Sequence, residues 1–162
     1  GVQTCALPIW LLTEAAEVLE KYGADKARAE KLLEEAKEVA INMVNFTLSH
    51  GMDTDGGLFD EGHEEGGIAV PNKVWWVQAE AVVGSVNAWQ ITGDEKYLDS
   101  ALKSWAYIKA EIINGPAGEW FASGKNSPDE ENSHLLCGPW KCPYHNARAA
   151  FEIYERCEAL EK

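Results

Sequence analysis

Two short segments of the sequence contain most of the residue types that could do chemistry. One, residues 73–80 (KVWWVQAE), holds an adjacent Trp pair and Glu80, and the other, residues 140–146 (WKCPYHN), holds His145. An imidazole exchanges protons near neutral pH, a carboxylate binds hydroxyl groups, and indole rings stack on flat ligands. Together these side chains indicate general acid–base chemistry on a flat, hydroxyl-bearing ligand such as a sugar.

Each of these side chains also has a structural explanation. His145 could cap a helix by bonding a backbone carbonyl group. Trp75 and Trp76 are adjacent and face different sides of a helix, so one is expected in the core while the other, preferably Trp76, lines the cavity. Glu80 follows Trp76 by four residues on the same face and either holds sugar hydroxyls or is solvated. Trp140 precedes a Pro-constrained turn, where exposure favours a stacking role.

The remaining histidines are weaker candidates. His63 and His134 lie in polar loops and are interpreted as solvated, with His63 the better placed to approach a pocket. His50 ends a predicted helix, where a cation offsets the helix dipole.

The cysteine spacing does not predict a metal site. None of the four cysteines forms a CxxC pair, and we expect them to be reduced in a cytoplasmic protein: Cys5, Cys137, Cys142 and Cys157. The N-terminal residues lack the basic start and apolar stretch of a signal peptide.

The charge of the chain argues against polyanionic partners. The 162 residues include 14 Lys and Arg against 27 Asp and Glu, a net charge of −13. Nucleic acids and anionic membranes attract basic surfaces, so neither is an expected partner. The longest apolar runs fall short of the roughly 18 residues that a membrane span needs. A single soluble globular domain that binds a small molecule is the expected class.

Five helices are predicted to position the two segments. Apolar periodicity, together with Asp25 and Asp94 as N-caps and Pro143 in the first turn of the last helix, places them at 10–22, 26–48, 72–91, 95–113 and 144–160.

The helices form a repeat of about 70 residues in which a helix, a loop with a small hairpin and a second helix follow one another. The hairpins are predicted at 56–62 (GGLFDEG) and 118–124 (GEWFASG). Stacked helical hairpins need neighbours to bury both faces, so the repeat predicts an arc from a closed ring, with a free-standing five-helix bundle as the alternative. Equivalent positions lie at one end of the stack, and both segments should face one cavity. The helix N-termini there would stabilise a developing enolate oxygen and keep a nearby His neutral.

Residues 1–9 (GVQTCALPI) look foreign to the rest of the chain. They show no helical period and resemble the translation of a sequencing-adapter oligonucleotide, so they are predicted to be non-native. The domain is then residues 10–162, and the gene is expected to extend upstream.

Several motifs in order resemble the C-terminal part of the cellobiose 2-epimerases of the N-acylglucosamine 2-epimerase superfamily. They are WLLTEAAEVL at 10–19, DTDGGLFDEG at 53–62, KVWWVQAEAVVG at 73–84, TGDEKYL at 92–98, GEWF at 118–121 and GPWKCPYHNAR at 138–148. The last string looks more like the cellobiose branch than the N-acylglucosamine or mannose-isomerase branches.

This resemblance implies an all-α (α/α)6 barrel of which the chain holds about five helices. It also implies inversion at C2 of a reducing-end glucose unit through a cis-enediol(ate), without a metal or redox cofactor. His145 matches one of two acid/base histidines, and Trp140 matches a Trp that packs on the sugar. Trp75 and Trp76, with Trp76 preferred for the contact, match the aromatic wall, and Glu80 matches a cleft carboxylate.

One departure from the family pattern affects catalysis. The second acid/base His of the family falls near Thr4, inside the foreign-looking segment, where this sequence has none. One His cannot serve both faces of a carbon, so the chain as written is predicted to be inactive. The alternatives are a non-catalytic carbohydrate-binding helical module and an N-acylglucosamine 2-epimerase or mannose isomerase. A glycoside hydrolase or lyase ranks below these, because only Glu80 is a fair candidate for the required carboxylate pair.

Overall fold

The computed structural model describes residues 2–3, 6–63, 65–129 and 133–160, with side chains from residue 9 onward. Five α-helices lie wholly within these residues: α1 (Ala6–Tyr22), α2 (Lys26–His50), α3 (Trp75–Thr92), α4 (Glu95–Tyr107), which continues into a π-helical turn (Ile108–Ile112), and α5 (Tyr144–Leu160). The short strands are β1 (Val2–Gln3), β2 (Glu61–Gly62), β3 (Ile68–Val70), β4 (Ile113–Asn114) and β5 (Glu119–Trp120). No helix among the described residues has the length and apolar character required to cross a membrane.

Local capping explains where the helices begin and end. The side chain of Asp25 accepts a hydrogen bond from the Arg28 N–H at 3.1 Å, and that of Asp94 accepts from the Lys96 N–H at 3.0 Å. Each bond satisfies a free N–H in a first helical turn. Gly93 ends α3 with φ of 70°, a left-handed conformation that glycine adopts without a Cβ clash.

The helices pack as two antiparallel hairpins and a single helix. α1 pairs with α2, α3 pairs with α4, and α3 also packs against α1 and α5 on its two sides. One core cluster joins both hairpins through residues from α1, α2, α3 and α4: Ile9, Ala40, Val44, Ala88 and Tyr97. The predicted arc of helical hairpins is therefore confirmed, with α1, α3 and α5 forming one row and α2 and α4 a second.

The outer faces of the terminal helices in this arc remain apolar and exposed. The exposed apolar side chains of α1 and α5 include Leu11, Leu12, Val18, Leu19, Phe151, Tyr154 and Leu160. Such faces are typical of stacked helical hairpins, where each unit covers its neighbour.

Two helix starts differ from the sequence prediction. α1 begins at Ala6 rather than at residue 10, because Pro8 falls in the first helical turn, where a proline is tolerated. Ile9 lies inside this helix and is only 2% exposed. Whether residues 1–9 are foreign stays a prediction. α3 begins at Trp75 rather than residue 72, because Val74 is extended (ψ 149°) and forms a β-bridge with Ser123.

The two small hairpins extend beyond the segments in which they were predicted. Within 56–62 only β2 is a strand, and its partners β1 and β3 lie outside that segment. Within 118–124 β5 pairs with β4, which directly follows the π-helical turn after α4. Each turn-rich segment therefore supplies only one strand of a pair. The π-helical turn that continues α4 ends at residue 112, one residue before the predicted helix end at 113.

Candidate functional site

The first two turns of α1, α3 and α5 meet at one end of the row that these helices form. Four residues are in contact there: Trp10 of α1, Glu80 of α3, and His145 and Arg148 of α5. Glu80 is 65 to 70 residues from the other three in sequence. The structure thus brings Glu80 and His145 of the two predicted segments together. Trp10 and Arg148 were not predicted as site residues.

Glu80 is the centre of this cluster. Its side chain is 1% exposed, and a carboxylate so buried requires hydrogen-bond donors on its oxygens. Oε2 accepts from the indole Nε1–H of Trp10 at 2.9 Å, and Oε1 lies 2.8 Å from Nδ1 of His145. Oε1 also accepts from the guanidinium group of Arg148. Glu80 is therefore an inward carboxylate that links three helices, and its contact with sugar hydroxyls stays a prediction.

His145 lies between two aromatic rings in the first turn of α5. Its ring centroid is 5.7 Å from that of Trp76 and 5.0 Å from that of Tyr144, the latter edge-on. Its side chain is 23% exposed, so one edge remains accessible. A carboxylate beside Nδ1 favours the tautomer that carries the proton on Nδ1, which leaves the Nε2 lone pair free to accept a proton.

Arg148 follows His145 by one helical turn and neutralises Glu80. Its guanidinium carbon is 5.1 Å from the centre of the Trp10 ring and 4.7 Å from that of Tyr144. It also donates to Oη of Tyr144 at 2.7 Å. The sequence signal for this arginine was available, since i and i+3 positions on a helix share a face.

The two adjacent tryptophans have different environments. Trp75 is buried and packs against Tyr107, Ile108 and Ile112, on the side of α4. Trp76 is partly buried and lies beside His145. Trp75 is therefore the expected core indole, whereas the position of Trp76 on a cavity wall and its contact with a sugar stay predictions.

Trp140 stands apart from this cluster on the surface. Its side chain is 92% exposed, at a turn where Gly138 and Lys141 exchange two backbone hydrogen bonds. An indole so exposed is available for stacking, and its contact with a sugar also remains a prediction.

A second ion pair with a buried lysine lies directly after Trp140 in the chain. Lys141 Nζ is 3.2 Å from Glu119 Oε1 and lies 5.2 Å from the centre of the Trp75 ring. Glu119 Oε1 also accepts from Asn146 Nδ2 at 2.9 Å. Burial of Glu119 opposes ionisation, but hydrogen bonds from the Trp120 N–H and from Lys141 outweigh it and lower the pKa of this carboxyl group. The sequence analysis assigned no role to Glu119 or Lys141.

The other histidines and the cysteines lie away from the cluster. His50, His63 and His134 are exposed, as are Cys137, Cys142 and Cys157. Cys5 and Thr4 lie outside the described residues. In the part of the chain that the structure describes, no three His, Cys, Asp or Glu side chains are grouped so that they could hold a metal ion.

Comparison with known proteins places this geometry in a family. The sequence pattern of the N-acylglucosamine 2-epimerase (GlcNAc 2-epimerase) family matches residues 9–149. A cellobiose 2-epimerase from Ruminococcus albus is 38% identical over 148 residues, which cover 91% of this chain and 35% of that relative. The chain therefore spans about a third of the length of the curated relatives that it matches.

Solved structures agree with the sequence comparison. A sugar epimerase from a ruminal bacterium superimposes with a TM-score of 0.77 at 35% identity, over 95% of this chain and 38% of that chain. The cellobiose 2-epimerase of Spirochaeta thermophila superimposes with a TM-score of 0.67 at 30% identity, over 100% of this chain and 39% of that chain. The five helices correspond to part of the (α/α)6 barrel of these epimerases.

Proposed function

The chain belongs to the N-acylglucosamine 2-epimerase family, and on that premise we propose that it is the C-terminal part of a sugar 2-epimerase. The proposed reaction interconverts the reducing-end glucose and mannose units of a disaccharide such as cellobiose. The observation that carries this proposal is the contact between Glu80 and His145, 2.8 Å long, where α1, α3 and α5 meet.

His145 is proposed to act as one acid/base group on the ring-opened sugar. Its Nε2 takes the proton from C2, the C–H electron pair becomes the second C1–C2 bond, and the carbonyl oxygen on C1 gains the negative charge. The partial positive charge of the helix N-termini favours that oxygen. Return of a proton to the opposite face of C2 from a second histidine completes the inversion, but this sequence has no histidine at the family position near Thr4.

Glu80 and Trp76 support this proton transfer in different ways. Glu80 holds the proton on Nδ1, so that the imidazole presents Nε2 to the substrate. Trp76, at 5.7 Å between ring centroids, gives the imidazole an apolar wall that can also cover one face of a sugar.

The test uses the full-length protein from the completed gene, which is expected to supply the second histidine that this chain lacks, with cellobiose in heavy water. The wild type should form the C2 epimer and incorporate deuterium at C2, which NMR detects. His145→Gln should lower the rate by about 10²- to 10⁴-fold, the usual contribution of general acid–base catalysis. His63→Gln, at an exposed histidine, is the matched control and should leave the rate unchanged. A His145→Gln protein that retains the wild-type rate would contradict the proposal.

A second candidate is a carbohydrate-binding module without catalysis, which the 92% exposed Trp140 favours. The two functions differ in the behaviour of His145→Ala. An epimerase should lose turnover and still bind cellobiose, whereas a binding module should bind cellobiose without deuterium exchange even in the wild type. Turnover of N-acetylglucosamine or mannose in place of cellobiose would assign the protein to another branch of the family.

A further inference from the structure

We propose that Lys141 is a positioning residue that fixes the backbone turn from which the exposed indole of Trp140 projects. This inference rests on the proposed function, because it assigns to Trp140 the binding of a sugar unit. It concerns the orientation of a ligand contact rather than the proton transfer.

The indole of Trp140 depends on its backbone for its position. With 92% of the side chain exposed, packing within the described residues contributes little to holding the ring. Pro139 on one side fixes its own φ angle. On the other side, the Gly138 N–H donates to the Lys141 carbonyl at 3.0 Å, and the Lys141 N–H donates to the Gly138 carbonyl at 3.3 Å. The turn therefore fixes the backbone position from which the indole projects.

Lys141 anchors that turn to the protein interior. Its side chain is 3% exposed, and Nζ lies 3.2 Å from Glu119 Oε1 and 3.4 Å from the Leu136 carbonyl oxygen. The ammonium group also faces the ring of Trp75 at 5.2 Å. A buried ammonium group is stable only with such partners, so a shift of the turn that pulled Lys141 away from them would be costly.

Glu119 connects this anchor to the helix of the acid/base residue. The oxygen that pairs with Lys141 also accepts from Asn146 Nδ2 at 2.9 Å, and Asn146 directly follows His145 in α5. Hydrogen bonds to Glu119 thus tie the turn of Trp140 and the first turn of α5 to one carboxylate. Lys141 and Glu119 thus hold the backbone turn that carries Trp140 in place relative to the first turn of α5.

Loss of Lys141 should therefore affect ligand binding more than chemistry. His145 keeps its contact with Glu80, which does not involve Lys141, while the backbone turn that carries Trp140 loses its anchor at Glu119. In the full-length protein, Lys141→Met should raise KM for cellobiose about two- to tenfold, the loss expected for one aromatic contact, with little change in kcat. Lys141→Arg, which retains the cation, should restore most of the affinity.

Three further variants make the experiment decisive. Trp140→Ala sets the full effect of losing the indole, Glu119→Gln removes the partner charge with little change of shape, and Lys103→Met is the matched control at an exposed lysine. Trp140→Ala should raise KM at least as much as Lys141→Met, and Lys103→Met should leave KM unchanged. If Lys141→Met does not fold, Glu119→Gln decides, with the same rise in KM expected.

The outcomes separate the inference from the proposed function. A rise in KM for Trp140→Ala without one for Lys141→Met or Glu119→Gln overturns the role of Lys141 and leaves the epimerase proposal intact. The role of Lys141 is also overturned if kcat of Lys141→Met falls only as much as the amount of folded protein does, with KM unchanged. Such a result would indicate that Lys141 only stabilises the fold. Retained activity in His145→Gln instead refutes the proposed function. As an independent check, the indole N–H signal of Trp140, assigned with Trp140→Phe, should move or broaden in Lys141→Met and not in Lys103→Met.

Discussion

Replacing Glu80 by Gln tests the centre of the site, because it removes the charge and one acceptor while keeping the size of the side chain. The carboxylate receives donors from Trp10, His145 and Arg148, whereas an amide offers one acceptor oxygen and turns an NH2 group toward a donor. Arg148, with a side chain only 19% exposed, also loses its counter-charge. Breaking a partly buried ion pair of this kind should lower the free energy of unfolding by about 3 kcal/mol.

The same substitution should also change the imidazole. Without the carboxylate, Nδ1 of His145 is no longer held in its protonated form, and the tautomer with the proton on Nε2 competes. That tautomer cannot accept a proton from C2, so kcat of the full-length protein should fall by about 10²- to 10⁴-fold. The assays are deuterium exchange at C2, urea unfolding, and 15N NMR of the histidine ring, which identifies the protonated nitrogen.

Glu17→Gln, at an exposed position of α1, is the matched control and should change stability by no more than about 0.5 kcal/mol. The reasoning is refuted if Glu80→Gln has the wild-type tautomer, stability and kcat. A loss of stability with unchanged tautomer and kcat would limit Glu80 to a structural role.

Two further predictions concern the contacts around the site. Arg156 of α5 donates hydrogen bonds to Asn87 and Gln90 of α3 and to Glu14 of α1, the last two at 2.6 Å. Because Arg156→Met removes all of these bonds, it should lower the free energy of unfolding by about 2–3 kcal/mol, which urea denaturation measures. The folded-state pKa of Glu119 is lowered, so its contribution to stability is present above its unfolded-state pKa and is lost as pH falls through the lower, folded-state value. Stability of the wild type should accordingly decrease on acidification in that range, and Glu119→Gln should decrease less steeply; equal slopes would contradict this.

The helical framework could be predicted from the sequence because its determinants are local. Apolar periodicity and the side-chain caps at Asp25 and Asp94 depend on neighbours within a turn or two, and they place α2 and α4 to within a few residues at most. The start of α3 was wrong by three residues because Val74 is held extended by Ser123, about 50 residues later in the chain. A bridge of that kind has no local signal.

The site was partly predictable for a related reason. The repeat places the two segments at the same end of the stack, and this alone brings Trp76 and Glu80 near His145. Trp10 lies among apolar residues at the start of α1, and only the fold shows that its indole N–H is 2.9 Å from Glu80. Arg148 shares a helix face with His145, but an arginine early in a helix is usually solvated, so the shared face alone does not predict a contact with Glu80.

The position of Glu80 explains why the packing of the arc and the chemistry of the site depend on each other. Its donors come from two neighbouring helices, so the carboxylate is satisfied only when α1, α3 and α5 lie in one register. Once they do, Arg148 balances the buried charge, and the imidazole is oriented before any ligand arrives. Preorganised groups of this kind favour a transition state because they need little rearrangement as charge develops. A helix slip of one turn would leave Glu80 without donors and His145 without its orienting partner, so mutations that loosen helix packing far from the imidazole should reduce turnover as well as stability.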